Sequence, residues 1–240
     1  MSLYKYLKPD RIDALTTARI RFSQRTAFSD DHELLPDFER FGTYDEIWRF
    51  QANTGMALDP ANPAHVRLVR FLADSVDAQS RMLQTTRKNM RSLDEFGILC
   101  LTECPDSPDM WEDYADNGHG FVIAFDTTHM SFGLLREPGR IGRVEYSDLA
   151  YESFLGLIET DVTQTFFRKR MPYAFEREWR SIRALRRLEN NGADMYFSRF
   201  DPATVSRLFT LPTCGVTAQL HQLVATDARY AHVDIVEQRI

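Results

Sequence analysis

Apolar and polar positions recur along the chain regularly enough to divide it into elements. Leu3 to Leu7 reads as a short strand, with Tyr4 and Tyr6 on one face and Lys5 on the other. Pro9-Asp10 opens a brief helix with Ile12 and Leu15 at helical spacing. Ala18 to Ser23 is a second strand, in which Arg19 and Arg21 alternate with Ile20 and Phe22. The chain therefore begins strand–helix–strand. Gln24 to Pro36 is a polar loop with Asp30, Asp31 and Glu33, and Phe28 and Leu34 give it something to bury. Residues 43–96 are the helical part. Asn62-Pro63 suits a helix start, and Val69, Leu72, Val76, Leu83 and Met90 recur at one- or two-turn intervals, which predicts one long amphipathic helix to about Asp94.

Two apolar runs, Ile98 to Leu101 and Phe121 to Phe125, have strand length and composition. The segment between them carries Pro105 and Pro108, then Trp111 and Tyr114 one helical turn apart, then Gly118 and Gly120. A loop of that length with its own aromatic pair is a candidate site. Ile141 to Tyr146 alternates like a strand. Ser147-Asp148 is the expected cap of a helix whose apolar row is Phe154, Ile158, Val162 and Phe166, ended by Pro172. A strand then leads from the Glu176–Arg180 cluster to about Leu185. Asn190-Asn191-Gly192 is a turn signal, with Met195 to Phe200 as the partner strand. Val205 to Leu211, a helix from about Thr217 to Ala225 and a last strand Val233 to Val236 complete an α+β pattern. Its sheet core is mixed or antiparallel, and it forms a single domain over 1–240 with a helical insertion at about 43–96.

Composition narrows the function classes. At 240 residues the chain is long enough to bury roughly 70–75% of its unfolded surface without a staple. The net charge of −6 argues against binding duplex nucleic acid, and leaves Arg81, Arg87, Lys88 and Arg91 of the long helix as a solvated face or a local phosphate patch. No apolar run reaches the ~18 residues of a membrane span, and Met-Ser-Leu-Tyr-Lys-Tyr lacks an apolar signal core. Cys100, Cys104 and Cys214 have no framework spacing, which fits a reducing, cytoplasmic setting. They also lack the second ligand pair of a zinc site, and Cys100 reads as part of its strand's core.

Phosphate loops and nucleophile elbows are missing, so the chemistry must come from local clusters. In Glu176-Arg-Glu-Trp-Arg180, a strand would place Glu176, Glu178 and Arg180 on one face and Trp179 on the other. A carboxylate pair beside a guanidinium either binds a polar ligand and acts as a base, or forms a solvated strand face. Trp179, with Lys169 and Tyr173 just upstream, favours the first. Trp111 and Tyr114 either stack on a base or fill a satellite core. His119, between two glycines, reads as a turn histidine.

With these motifs in hand, the chain resembles the bacterial family called domain of unknown function 2971. Met110-Trp111, Tyr114-Ala115, Gly120-Phe121 and Phe125-Asp126 resemble its central motif, and Lys169…Glu176-x-Glu178-Trp179-Arg180 resembles a later one. Tyr4-Lys5-Tyr6 is similar to its opening strand. Phe22-Ser23 with Phe28 to Glu33 resembles a further loop motif, from which Ser29, Asp31 and His32 depart. The layout is also similar to ADP-ribosyltransferase-type folds, a fold-level analogy in which Lys5 stands where a His or Arg is usual. That resemblance implies a nucleotide-handling enzyme, a transferase or an NAD glycohydrolase, with NAD as substrate in a cleft lined by Tyr4, Lys5, Ser23, Trp111, Tyr114, Lys169, Glu176, Glu178 and Arg180. Glu178 or Glu176 would polarise a ribose hydroxyl, Lys5 and Arg180 would hold phosphates, and Trp111 with Tyr114 would stack the leaving base. The rival is a non-catalytic sensor or interaction module in bacterial defence, binding a nucleotide or peptide in the same cleft. The two differ in whether Glu178→Gln loses turnover or has none to lose.

Overall fold

The computed structural model describes residues 1–28, 34, 37–53, 58–129 and 140–240, without the side chains at 88–92. Strand β1 (Ser2–Leu7) leads through a 3-10 turn into α1 (Asp13–Thr16) and back along β2 (Arg19–Gln24), the strand–helix–strand opening its alternation predicts. Next come β3 (Phe38–Arg40), then three helices, α2 (Tyr44–Asn53), α3 (Pro63–Asp74) and α4 (Val76–Asn89). The long helix expected from Asn62 to Asp94 is thus broken in two. At Ser75 the backbone is extended (ψ 114°), its hydroxyl accepts the Ala78 N–H, and α4 starts there. The buried Gln79 side chain then accepts from the Phe41 and Gly42 amides and donates to the Gly42 and Leu72 carbonyls, which fixes the two helices to the turn between β3 and α2. Apolar periodicity carries no signal for such a break, because Ser75 interrupts the backbone without interrupting the stripe.

The central part is β4 (Phe96–Thr102), α5 (Pro108–Tyr114) and β5 (Phe121–Asp126), matching the two apolar runs and the aromatic turn between them. Beyond lie β6 (Arg140–Arg143), β7 (Glu145–Tyr146), β8 (Tyr151–Ser153), α6 (Phe154–Thr160) and β9 (Arg168–Lys169). The helix expected from Ser147 starts later. Ser153 is its N-cap, accepting the Gly156 N–H, whereas Ser147 Oγ receives Leu149 N–H and Arg168. Asp161 then ends α6 and caps a separate 3-10 segment, so the apolar row from Phe154 to Phe166 spans two elements. β10 (Glu178–Ala184), β11 (Glu189–Asn190), β12 (Tyr196–Arg199), β13 (Val205–Thr210), α7 (Thr217–Thr226) and β14 (Asp234–Glu237) complete the chain, and all but β11 lie where the sequence places an element. The expected pairing of Met195–Phe200 with the strand ending near Leu185 is corrected: β12 pairs with β11 and β2, because both edges of β10 are taken by β4 and β6.

Ten of these strands form one sheet in the order β11-β12-β2-β4-β1-β5-β13-β14, with β10 and then β6 branching from β4. All pairs are antiparallel except β13–β14, giving an α+β fold with a mixed, mostly antiparallel sheet. The main core joins Leu3, Leu15, Ile20, Phe22, Leu99 and Phe125 from the sheet and α1 to Leu220 of α7. Met110, Trp111 and Ala115 pack α5 against Tyr6 and Val122, and the helical segment has its own cluster around Phe41, Ile47, Val69 and Leu155. Among the described residues no helix is long and apolar enough to cross a membrane.

The sheet divides at β4. One edge pairs fully with β10, from Phe96↔Ala184 to Thr102↔Glu178. The other edge pairs with β2 only at Gly97 and Ile98 and with β1 only at Thr102. Between these, Leu99 to Leu101 meet no strand on that side among the described residues. Lys5, which shares a strand face with Leu3 and Leu7, donates from Nζ to the Cys100 carbonyl in this gap, 3.0 Å away. A cleft opens there.

Candidate functional site

The cleft occupies about 290 Å³ and is lined by Tyr4, Lys5, Arg21, Ser23, Phe28, Cys100, Tyr114, Lys169, Glu176 and Glu178, among others. Seven of the nine residues singled out in the sequence therefore meet there, on segments from β1, β2, α5, β9 and the turn into β10. That volume lies just below the ~300–1,000 Å³ that small-ligand pockets span.

α5 is set by Ser107, whose hydroxyl accepts the Met110 N–H, and by Pro108 at the first turn. Asp116, Asn117 and Gly118 then run through positive φ, returning the chain to β5. Gly120 lies so close to β1 that a Cβ there would meet the Leu7 carbonyl oxygen at 2.0 Å. This seats α5 against β1. Trp111 and Tyr114, one turn apart, leave the helix in different directions. Trp111 is buried, its ring centroid 5.3 Å from that of Tyr6 in an edge-on contact, and its Nε1 donates to the Pro105 carbonyl. It fills the satellite core and does not line the cleft, which corrects the stacking expectation for that ring. Tyr114 reaches across to donate its hydroxyl to Glu176 Oε1 at 2.6 Å.

Glu176 sits in the 3-10 turn before β10, and Arg177 adopts a left-handed conformation (φ 43°) between it and the strand. Only Glu178 and Arg180 alternate on β10, so the expectation that all three share a strand face is corrected. The turn nevertheless brings the two carboxylates together at Lys169, which lies 2.7 Å from Glu176 Oε2 and 3.7 Å from Glu178 Oε2. Arg180 is wholly buried and does not line the cleft. Its Nε and Nη2 fork onto the two oxygens of Glu178 at 2.8 and 2.9 Å, while Nη1 donates to the Phe166 carbonyl. The guanidinium therefore orients Glu178 and is not placed to hold a ligand phosphate. Tyr146 accepts the Glu178 N–H, and Thr102 Oγ1 donates to the Glu176 carbonyl, so both residues are held through main chain as well as side chain.

These contacts push the two carboxylates apart electrically. Burial raises Glu176 above the usual carboxylate range, an effect that Lys169 and Tyr114 only partly offset and Glu178 adds to. Burial acts on Glu178 in the same sense, but the charge and fork of Arg180, with Lys169, hold it below that range. Burial and the neighbouring Glu176 push the Tyr114 phenol up, so it stays a donor. Burial and Glu178 likewise raise the Cys100 thiol, which is neutral and a poor nucleophile.

Arg21 escaped the sequence reading. It lines the cleft from β2, shares a strand face with Ser23, and its Nε is buried without a hydrogen-bond partner among the described residues. Its alternation with Ile20 and Phe22 was the available signal, since an arginine inside an apolar strand needs a reason to be there. Phe28, from the polar loop, lines the cleft as well, with the Arg180 guanidinium 5.9 Å from its ring. The remainder of that loop motif, Ser29 to Glu33, lies outside the described residues, as do the side chains of Lys88 and Arg91 on the basic helix face.

No curated protein and no solved structure matches this chain. Residues 110–181, which hold α5, β5, Lys169 and the Glu176–Arg180 cluster, match the model of the family described as Protein of unknown function (DUF2971), and the family resemblance read from these motifs is borne out over that span.

Proposed function

We propose that the cleft binds a nucleotide and acts on its ribosyl bond, with NAD as substrate and ADP-ribosyl transfer or NAD hydrolysis as the reaction. One observation carries the reading: two carboxylates share Lys169, yet their surroundings drive them in opposite directions. Such divergence is how a site obtains an acid–base group and a permanent charge from the same residue type. Glu178, kept ionised by Arg180, would stabilise positive charge developing on the ribosyl ring. Glu176 would take the proton of the attacking acceptor, water or a side chain, as the C1′–N bond breaks and the electron pair leaves with nicotinamide. The roles of the two glutamates differ from those expected from the sequence alone, where Glu178 had first claim on the chemistry. Tyr4 and Tyr114 supply aromatic walls, and Lys5 and Arg21 supply charge for phosphate.

A binding module is the second reading. It is favoured by the completeness with which Lys169, Tyr114 and Arg180 already satisfy both carboxylates. The two part in one experiment, nicotinamide release from NAD by wild type and by Glu176→Gln, with NAD binding measured alongside. The enzyme reading expects about a hundredfold slower release by the variant with binding retained, from the ~3 kcal/mol that such groups commonly supply. Binding of NAD without release by wild type gives the cleft to the binding module, and absence of both removes NAD as the ligand.

A further inference from the structure

Beside the carboxylate cleft lies a second cavity of about 190 Å³, lined by Lys5, Lys8, Arg11, Arg21, Ser23 and Tyr114 among others. Among the described residues four cations border it, and no carboxylate does. Arg11 is engaged with Asp13 at 3.2 Å, but Lys5, Lys8 and Arg21 have no acidic partner among the described residues. In a chain of net charge −6 that convergence is not a product of composition. Three positive groups border one cavity without an acidic partner among the described residues, and the buried Arg21 Nε also lacks an acceptor among them. A bound anion would supply both.

The two cavities are continuous in their lining. Lys5, Tyr6, Arg21, Ser23 and Tyr114 border both. The basic one is the smaller of the two, about 190 Å³ against about 290 Å³, so it suits a substituent of a molecule whose body lies next door. Guanidinium and ammonium groups set around a small polar cavity with a hydroxyl at Ser23 fit phosphate oxygens.

From this juxtaposition we infer that the basic cavity is a phosphate subsite, and that the ligand of the neighbouring cleft is a phosphorylated nucleotide, not a nucleoside. The inference deepens the nucleotide reading and rests on it for the identity of the ligand's body. The phosphate is held by Arg21 and Lys5 at the shared wall and by Lys8 at the solvent side. Arg180, buried behind Glu178, takes no part.

Isothermal titration with inorganic pyrophosphate, NAD and nicotinamide riboside tests it, using wild type, Arg21→Gln, Lys8→Gln and Arg67→Gln, the last an exposed arginine on α3 that controls for net charge. Pyrophosphate should bind wild type with an affinity that falls as salt rises, and Arg21→Gln should weaken it about tenfold or more. Lys8→Gln should weaken it less and Arg67→Gln not at all. Nicotinamide riboside should bind wild type and Arg21→Gln alike. Lys8 is exposed and outside any strand, so its variant reads the subsite even if Arg21→Gln folds poorly. Pyrophosphate binding that neither variant disturbs overturns the inference, as does NAD binding no tighter than nicotinamide riboside. Arg21-dependent pyrophosphate binding without any binding of NAD or the riboside would keep the subsite and end the NAD reading. Tight NAD binding indifferent to Arg21 and Lys8 would do the reverse.

Discussion

Lys169 is the residue whose loss should be most revealing. Its ammonium contacts both oxygens of Glu176 at 2.9 and 2.7 Å, lies 3.7 Å from Glu178 and sits 4.5 Å from the centre of the Tyr173 ring, with all three charged side chains buried. Lys169→Met keeps most of the stem and removes the charge. Breaking a buried pair from one side typically costs about 3–5 kcal/mol. An independent ceiling comes from Glu176, which escapes the penalty by taking up a proton. Doing so costs about 1.4 kcal/mol for each pH unit above the ordinary carboxylate pKa of about 4.3, hence about 4 kcal/mol at pH 7 and about 1 kcal/mol at pH 5. The sign follows from the direction of the shift. Glu176 is already raised, and without Lys169 it rises further. The folded variant then holds a proton that the unfolded chain releases, so its stability is greatest below the ordinary pKa and is lost as pH rises through the raised one. Wild type shares part of that slope, so the difference between the proteins should be at most about 4 kcal/mol at pH 7 and should shrink toward pH 5. Urea unfolding of both proteins at the two pH values measures it. Equal losses at pH 5 and pH 7 would refute the argument, as would a Lys169→Met/Glu176→Gln double variant no more stable than Lys169→Met at pH 7.

Gln79→Leu should cost about 2–3 kcal/mol, because it strands the buried Phe41 amide and the Gly42 and Leu72 carbonyls. Chemical denaturation checks the size, and faster hydrogen exchange at Phe41 checks the cause. Gly120→Ala should cost about 3 kcal/mol or more, since the methyl group would overlap the Leu7 carbonyl at 2.0 Å and push α5 from β1. A variant that melts like wild type would show that the close approach is not needed.

Much of the sheet was legible because its strands are short, apolar and bounded by turn residues. β1, β4, β5, β10 and β12 follow from alternation, from apolar runs and from the turn at Asn190-Asn191-Gly192, whereas the partners of β12, the short β11 and the remote β2, do not. Residues of the candidate site were legible where chemistry forced an unusual local pattern, as in Glu176-x-Glu178-Trp179-Arg180. Direction was harder to read than location. A helix of seven residues does not reveal that Trp111 goes under and Tyr114 over, since the choice depends on Tyr6 and on Glu176, both remote in sequence. The left-handed Arg177 that lifts Glu176 off the strand has no sequence signature, because arginine is not a residue that favours that conformation. Arg21 was hidden by an ordinary alternation whose meaning depends on the gap in β4, a property of the assembled sheet.

That gap makes the sheet two plates that share an edge. β1, β5, β13 and β14 form one, and β4 with β2, β10, β12, β11 and β6 forms the other. A single register pair, Tyr4↔Thr102, joins their strands, against six between β1 and β5 and seven between β4 and β10. Among the polar side chains that brace the divide are Lys5, on the Cys100 carbonyl, and Tyr114, on Glu176. Both braces stand at the wall where a ligand would sit. An anion of the proposed ligand that drew Lys5 away, or a hydroxyl that competed for Glu176, would act on the same contacts that join the plates. Binding in the proposed cleft would thus be coupled to the joint between the plates, while the apolar cluster of Leu3, Leu99 and Leu101 continues across them.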